Sequence, residues 1–223
     1  MKTLLVIFVV LLLFSTCAVA ADNYELTCKS SYADDSVAIE KRLLQQAPNG
    51  ATRINKHILK VSYSGGVKKF IDEPPYDDPP NDEPYGIRWY YCGYNKEIKI
   101  HFLLKSSYAL STGVILFEDT GAILSAGYRV VISPDKKHFL AIEHSEGEGA
   151  EDWSLFEMSG KKLWTGIGTF ENGPIYVELE TPRWVDNNNM IAPFICEDSL
   201  KKGHMTFRNV GGKWTWLPAD VKC

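Results

Sequence analysis

Carboxylates dominate the chemistry this chain could perform. Between Glu143 and Asp152 the sequence reads EHSEGEGAED, five acids and His144 around Gly147 and Gly149. Between Asp72 and Pro84 it reads DEPPYDDPPNDEP, six acids and five prolines in thirteen residues. Oxygen-rich flexible loops suit calcium, but calcium loops set Asp and Asn at alternating positions, and the glutamate-rich segment has no such register. A glycosidase needs two carboxyls at a fixed separation, one of them buried so that its pKa rises. Glu143, Glu146 and Glu148 would be its candidates, and nothing in the sequence fixes either condition. What remains is electrostatic, because clustered carboxylates steer a basic partner toward themselves. We therefore expect a cationic protein partner. It would dock on Tyr76, Asp77, Asp78 and Asp82 of the proline-rich segment or on Glu146, Glu148 and Glu151 of the glycine-rich one, with Tyr76 or Trp153 as apolar anchor.

Other reactive residues point away from catalysis. Neither Gly-x-Ser-x-Gly nor a Ser-x-x-Lys set with its partner motifs can be assembled, so no serine nucleophile is expected. His101 falls on the strand face opposite Ile100 and Phe102, where a lone histidine reads as a surface or cross-strand residue. The tryptophans Trp89, Trp153, Trp164, Trp184, Trp214 and Trp216 could line a carbohydrate platform. Their positions flanking turns favour a core role for most of them, although Trp214 and Trp216 share a face that leaves room for one exposed ring. No catalytic residue, metal ligand or cofactor site is assigned.

The address comes from the N-terminus and the cysteines. Lys2, an apolar run from Leu4 to Phe14, and a small-residue site ending Ala18-Val19-Ala20 have the three parts of a secretory signal peptide over residues 1–20. That run is too short to span a bilayer, which takes about twenty residues. Lipid anchoring through Cys17 is not expected, since Phe14 and Thr16 replace the small residues such a signal wants. Cleavage would leave Cys28, Cys92, Cys196 and Cys223, an even set suited to disulfides in a secreted or periplasmic protein. Four cysteines allow three pairings; we expect Cys28 with Cys92 and Cys196 with Cys223. The chain's net charge of −4 makes nucleic acid a poor partner.

Several elements must position these groups. Asp34 to Pro48 reads as a helix, capped by Asp34 or Asp35, carrying Glu40, with Val37, Leu43 and Leu44 near one face, and stopped by Pro48-Asn49-Gly50. Ile58 to Ile71 alternates as a hairpin around Ser64-Gly65-Gly66, and Gly86 to Leu104 alternates as a second around Gly93 to Lys96. The segment 72–85 between them cannot form sheet or helix and reads as an acidic linker or loop. Residues 21–71, helix plus hairpin, then adjoin a β body over 86–223, together one compact domain.

Tyr128 to Trp164 holds four strand-like runs, turned by Ser133 to Lys137 and by Met158 to Lys161. At an offset of 51 residues Asp135 falls on Asp186, Phe139 on Met190, Ala141 on Ala192, Phe156 on Phe207, Gly160 on Gly211 and Lys162 on Lys213. At an offset of 39, Leu116 to Gly121 falls on Leu155 to Gly160. Such periods mean one supersecondary unit stacked on its neighbours. Ile132-Ser133-Pro134-Asp135-Lys136-Lys137-His138-Phe139-Leu140-Ala141, followed by Trp153 and Gly160-Lys161, resembles the blades of WD40 and TolB-like β-propellers, with Lys136 where that motif prefers glycine. The resemblance covers about half of the chain after residue 20 and implies a protein-interaction scaffold without chemistry.

The expected fold is mainly β: antiparallel meanders from degenerate four-stranded repeats, propeller-like or sandwich-like, with one N-terminal helix. The expected function is non-catalytic binding as a scaffold of the cell envelope. The alternatives are an inhibitor of a cationic secreted enzyme such as a lysozyme, or a glycan-directed hydrolase using the acidic loop.

Overall fold

The computed structural model describes residues 24–28, 36–47, 50–75, 86–107, 111–144, 151–172, 175–196 and 199–217. Its architecture is mainly β, with a single α-helix among the described residues. After β1 (Tyr24–Thr27) comes α1 (Ser36–Gln46), within the span read from sequence, whose cap candidates Asp34 and Asp35 lie outside the described residues. A first sheet then forms from β2 (Ala51–Asn55), β3 (Ile58–Tyr63) and β4 (Gly66–Ile71). A second holds β5 (Arg88–Asn95), β6 (Ile100–Ser106), β7 (Ser111–Phe117) and β8 (Ile123–Ser125).

The third layer is β9 (Arg129–Ile132), β10 (His138–His144), β11 (Glu151–Glu157) and β12 (Lys162–Ile167), the four runs expected over 128–164. Here β1 returns to pair antiparallel with β9. The fourth comprises β13 (Thr169–Asn172), β14 (Ile175–Leu179), β15 (Arg183–Trp184), β16 (Asn189–Cys196), β17 (Lys202–Val210) and β18 (Lys213–Leu217). Every ladder between named strands is antiparallel, as tight turns between consecutive strands require.

The layers stack face to face in chain order, because strand alternation sends neighbouring side chains to opposite interlayers. Leu59, Val61 and Phe70 of the first sheet meet Tyr91, Leu103 and Leu116 of the second. On the second sheet's other face, Ile100, Phe102 and Ile115 meet Val130, Ile132, Phe139 and Phe156 of the third. The third sheet's remaining face, with Leu140, Ile142, Trp153 and Leu155, meets Trp184, Met190, Phe194 and Phe207 of the fourth. Both inner sheets are thus apolar on two faces, which is why their strands read as near-continuous hydrophobic runs.

The third interlayer is aromatic. Phe207 lies 4.6 Å from Trp164, 4.8 Å from Trp216 and 5.3 Å from Trp214, centroid to centroid. Trp214 is buried and Trp216 half-buried against the same cluster. Helix α1 sets Leu43 and Leu44 against the first interlayer, joined by Ala47 just past its end.

Sheets three and four share their turn chemistry and pairing. Phe139 pairs with Phe156 as Met190 pairs with Phe207. Asp135 Oδ1 accepts from Lys137 N–H, and Asp186 Oδ1 accepts from Asn188 N–H. Lys136 holds a φ of 59°, the left-handed region that glycine prefers. The 39-residue offset behaves differently: Leu116 points into the first interlayer and Leu155 into the third, the opposite side of its own sheet.

A disulfide joins Cys28 to Cys92 across 64 residues, with Cα atoms 5.2 Å apart, and so ties the end of β1 to β5. Cys196 is also disulfide-bonded. Its expected partner, Cys223, lies outside the described residues. No helix among the described residues is long and apolar enough to cross a membrane.

Candidate interaction edge

The meanders bring the roots of both acidic segments to one edge of the stack. Glu73 and Ile87 bridge each other, with mutual N–H to O distances of 2.9 and 3.0 Å, and so bracket residues 76–85. Next along the edge Arg88 pairs with Ser106, and Ser106 with Ser111. Thr112 Oγ1 then donates to Glu143 Oε1 at 2.6 Å, stepping from the second sheet to the third. His144 pairs with Glu151 across the root of 145–150. Gly168 N–H donates to Glu151 O at 2.7 Å and Leu179 N–H to Gly168 O at 2.8 Å, carrying the row into the fourth sheet.

Glycine makes the step between sheets two and three. A Cβ on Gly113 would stand 1.6 Å from Gly127 O, and one on Gly127 would stand 2.1 Å from Ile142 O. Gly127 also has a φ of 67°. Only a residue without a side chain fits either position.

The expected binding residues divide sharply. Tyr76, Asp77, Asp78, Asp82, Glu146 and Glu148 lie outside the described residues. Glu151 is half-buried at the root, where its carboxylate accepts from Tyr128 Oη and from Trp153 Nε1, the latter at 3.0 Å. Burial first, and then the hydrogen bond to Glu151, raise the Tyr128 pKa above its ordinary value. Trp153 corrects the expectation of an apolar anchor. Its ring is 0% exposed in the third interlayer, so no docking partner can reach it.

Asp72 likewise leaves the solvated segment to which the sequence assigned it. It is 3% exposed and accepts from Trp89 N–H at 2.9 Å. His57 Nδ1 and Arg53 Nη1 stand 3.6 and 3.8 Å from its Oδ2. Arg53 in turn grips Glu40 through two 3.0 Å contacts, and Glu40 accepts from Tyr91 N–H at 2.7 Å. Buried charges persist when they are paired and hydrogen-bonded in this way.

Sequence reading missed this network. Its one trace was Glu40 lying three and four residues before Leu43 and Leu44, an acid inside the helix's apolar stripe. His101 is a second difference. It pairs across strands with Tyr94, as a cross-strand residue would, but is buried, with Nδ1 3.0 Å from Tyr91 Oη. Burial holds its pKa below the ordinary histidine value.

No family model matches the chain, and neither a curated protein nor a solved structure is similar to it.

Proposed function

We propose that this is an exported, non-catalytic binding protein that presents its acidic edge to a cationic protein partner, as an interaction scaffold of the cell envelope. The observation that carries the reading is the row of contacts from Glu73–Ile87 through Thr112–Glu143 to His144–Glu151, because it links the roots of two acid-rich segments along one edge. Fields from neighbouring clusters add, so Asp77, Asp78, Asp82, Glu146 and Glu148 would steer a basic protein together better than either segment alone. Carboxylates at the roots serve a different purpose. Glu143 and Glu151 are held by Thr112, Tyr128 and Trp153, which fixes the frame from which the segments leave.

Export is supported by the signal-like N-terminus and by the Cys28–Cys92 bridge, since disulfides persist in oxidising compartments. The repeat-built scaffold draws on the shared pairing and Asx turns of sheets three and four. In its sharper form, the edge inhibits a cationic secreted enzyme such as a lysozyme by offering acids to its cleft.

The test uses the mature protein and the partner it captures from its own extracellular fraction. Asp77, Asp78 and Asp82 are changed to Asn in one variant, and Glu146 and Glu148 to Gln in another. Association should slow in both, more at low salt than at high, because exposed charges are screened beyond about 8 Å at physiological strength. Association rates equal to wild type in both variants at both salts would remove the proposal.

A further inference from the structure

A cleft of about 450 Å³ opens between α1 and β2, over the Glu40–Arg53 pair. Its apolar wall is Leu44 and Ala51, and Lys41, Lys56 and Arg88 supply its charge. Glu40 is the lone acid among the described residues of the lining and is already committed. One oxygen accepts from Tyr91 N–H and Arg53, and the other accepts from Arg53 Nε. Glu40 is thereby committed to Arg53 and the Tyr91 amide rather than to Lys41 or Arg88.

Arg88 is the unsatisfied group. Its Nε is buried without an acceptor among the described residues, and its guanidinium carbon lies 5.2 Å from the Tyr90 ring centroid. A guanidinium resting on a ring still points its N–H groups outward in its own plane, the fork that a carboxylate matches with two hydrogen bonds. A buried donor left unpaired is costly, so a ligand that supplies the acceptor gains more than it would at an exposed arginine.

We propose that this cleft binds a small organic carboxylate with an apolar tail, the carboxylate on Arg88 with Lys41 and Lys56 at the rim, and the tail against Leu44 and Ala51. An inorganic anion would satisfy Arg88 and leave the apolar wall wet. A neutral alkyl chain would cover the wall and leave Arg88 unpaired. The volume falls within the range of about 300–1,000 Å³ usual for small-molecule sites.

Calorimetric titration of the mature protein with octanoate, octanol and sulfate separates these cases. Octanoate should bind at least about tenfold more tightly than either comparator, because each lacks one half of the recognition. Arg88→Gln should weaken octanoate about tenfold, and Lys41→Gln, on the exposed face of α1, about two- to threefold. Should Arg88→Gln fail to fold, the Lys41→Gln titration and the two comparators still decide. The proposal is overturned by no heat with octanoate, by octanol or sulfate binding as tightly as octanoate, or by octanoate affinity unchanged in every folded variant.

Discussion

At one edge of the stack the chain reverses in turns that satisfy themselves. Asn95 Oδ1 accepts from Glu97 N–H and Ile98 N–H, Asp135 Oδ1 from Lys137 N–H, Asp186 Oδ1 from Asn188 N–H, and Asn209 Oδ1 from Gly212 N–H. Acids there are paired as well: Lys99 stands 3.2 Å from Asp119, and Lys136 ties Glu97 of the second sheet to the turn of the third. At the opposite edge, where the acid-rich residues 76–85 and 145–150 connect the strands, the described backbone is locked by Gly113, Gly127 and the Glu143 and Glu151 hydrogen bonds. Local side-chain-to-backbone bonding closes a turn and leaves few groups for a partner, whereas the proposed function asks the framed segments to keep their charges for one.

The two edges should respond differently to substitution. Replacing Cys28 and Cys92 together by Ser frees the end of β1, where Cys28 N–H donates to Tyr128 O beside the acidic edge. Closing a loop of 64 residues should make the bridge worth about 4 kcal/mol, read as the loss of unfolding free energy in urea. A loss under about 1 kcal/mol would mean that the acidic edge holds without its staple.

Alanine at glycine contrasts the edges directly. Gly127→Ala adds a methyl against Ile142 O in a left-handed backbone and should cost about 3 kcal/mol. Gly212→Ala, at a φ of 87° with nothing near its Cβ, should cost about 1 kcal/mol. Equal losses would break the distinction between a locked frame and a free turn. At the self-satisfied edge, Asp135→Ala removes an acceptor for Lys137 N–H and Ser133 Oγ and should cost about 1 kcal/mol. Partner affinity should not change.

The smallest expected effect is acid sensitivity near that same edge. Burial disfavours the His101 imidazolium, so the folded pKa lies below the unfolded value of 6.5 and the unfolded chain binds more protons. Its contribution is therefore constant above about pH 6.5 and is lost as pH falls from there through the depressed folded value. The drop in unfolding midpoint between pH 7.5 and 5 should shrink in His101→Gln; an unchanged drop would assign it to other groups.

Much of the frame was legible in the sequence because its cause is local. Alternation around Ser64-Gly65-Gly66 and around Ser133 to Lys137 announced β3–β4 and β9–β10, and the Pro48-Asn49-Gly50 stop announced the end of α1. The Cys28–Cys92 pairing was also anticipated. What sequence did not reveal depends on contacts between distant segments. Asp72 looked like the first residue of a solvated acidic run, yet Arg53 and Trp89, from two other strands, draw it inside. Trp153 borders a charged segment in sequence, but its parity with Leu155 on β11 sends it into the third interlayer. The meeting of Thr112 with Glu143 needed the stacking order itself.

The claim that the acidic edge is the partner's surface is tested most directly by hydrogen-exchange footprinting of the complex between the mature protein and its captured partner. Backbone amides of 72–88 and 143–152 should gain protection on binding, while those of 96–99, 118–122 and 133–137 exchange as in the free protein. Protection confined to the second set would place the partner on the edge whose turns are already satisfied, and would contradict the account.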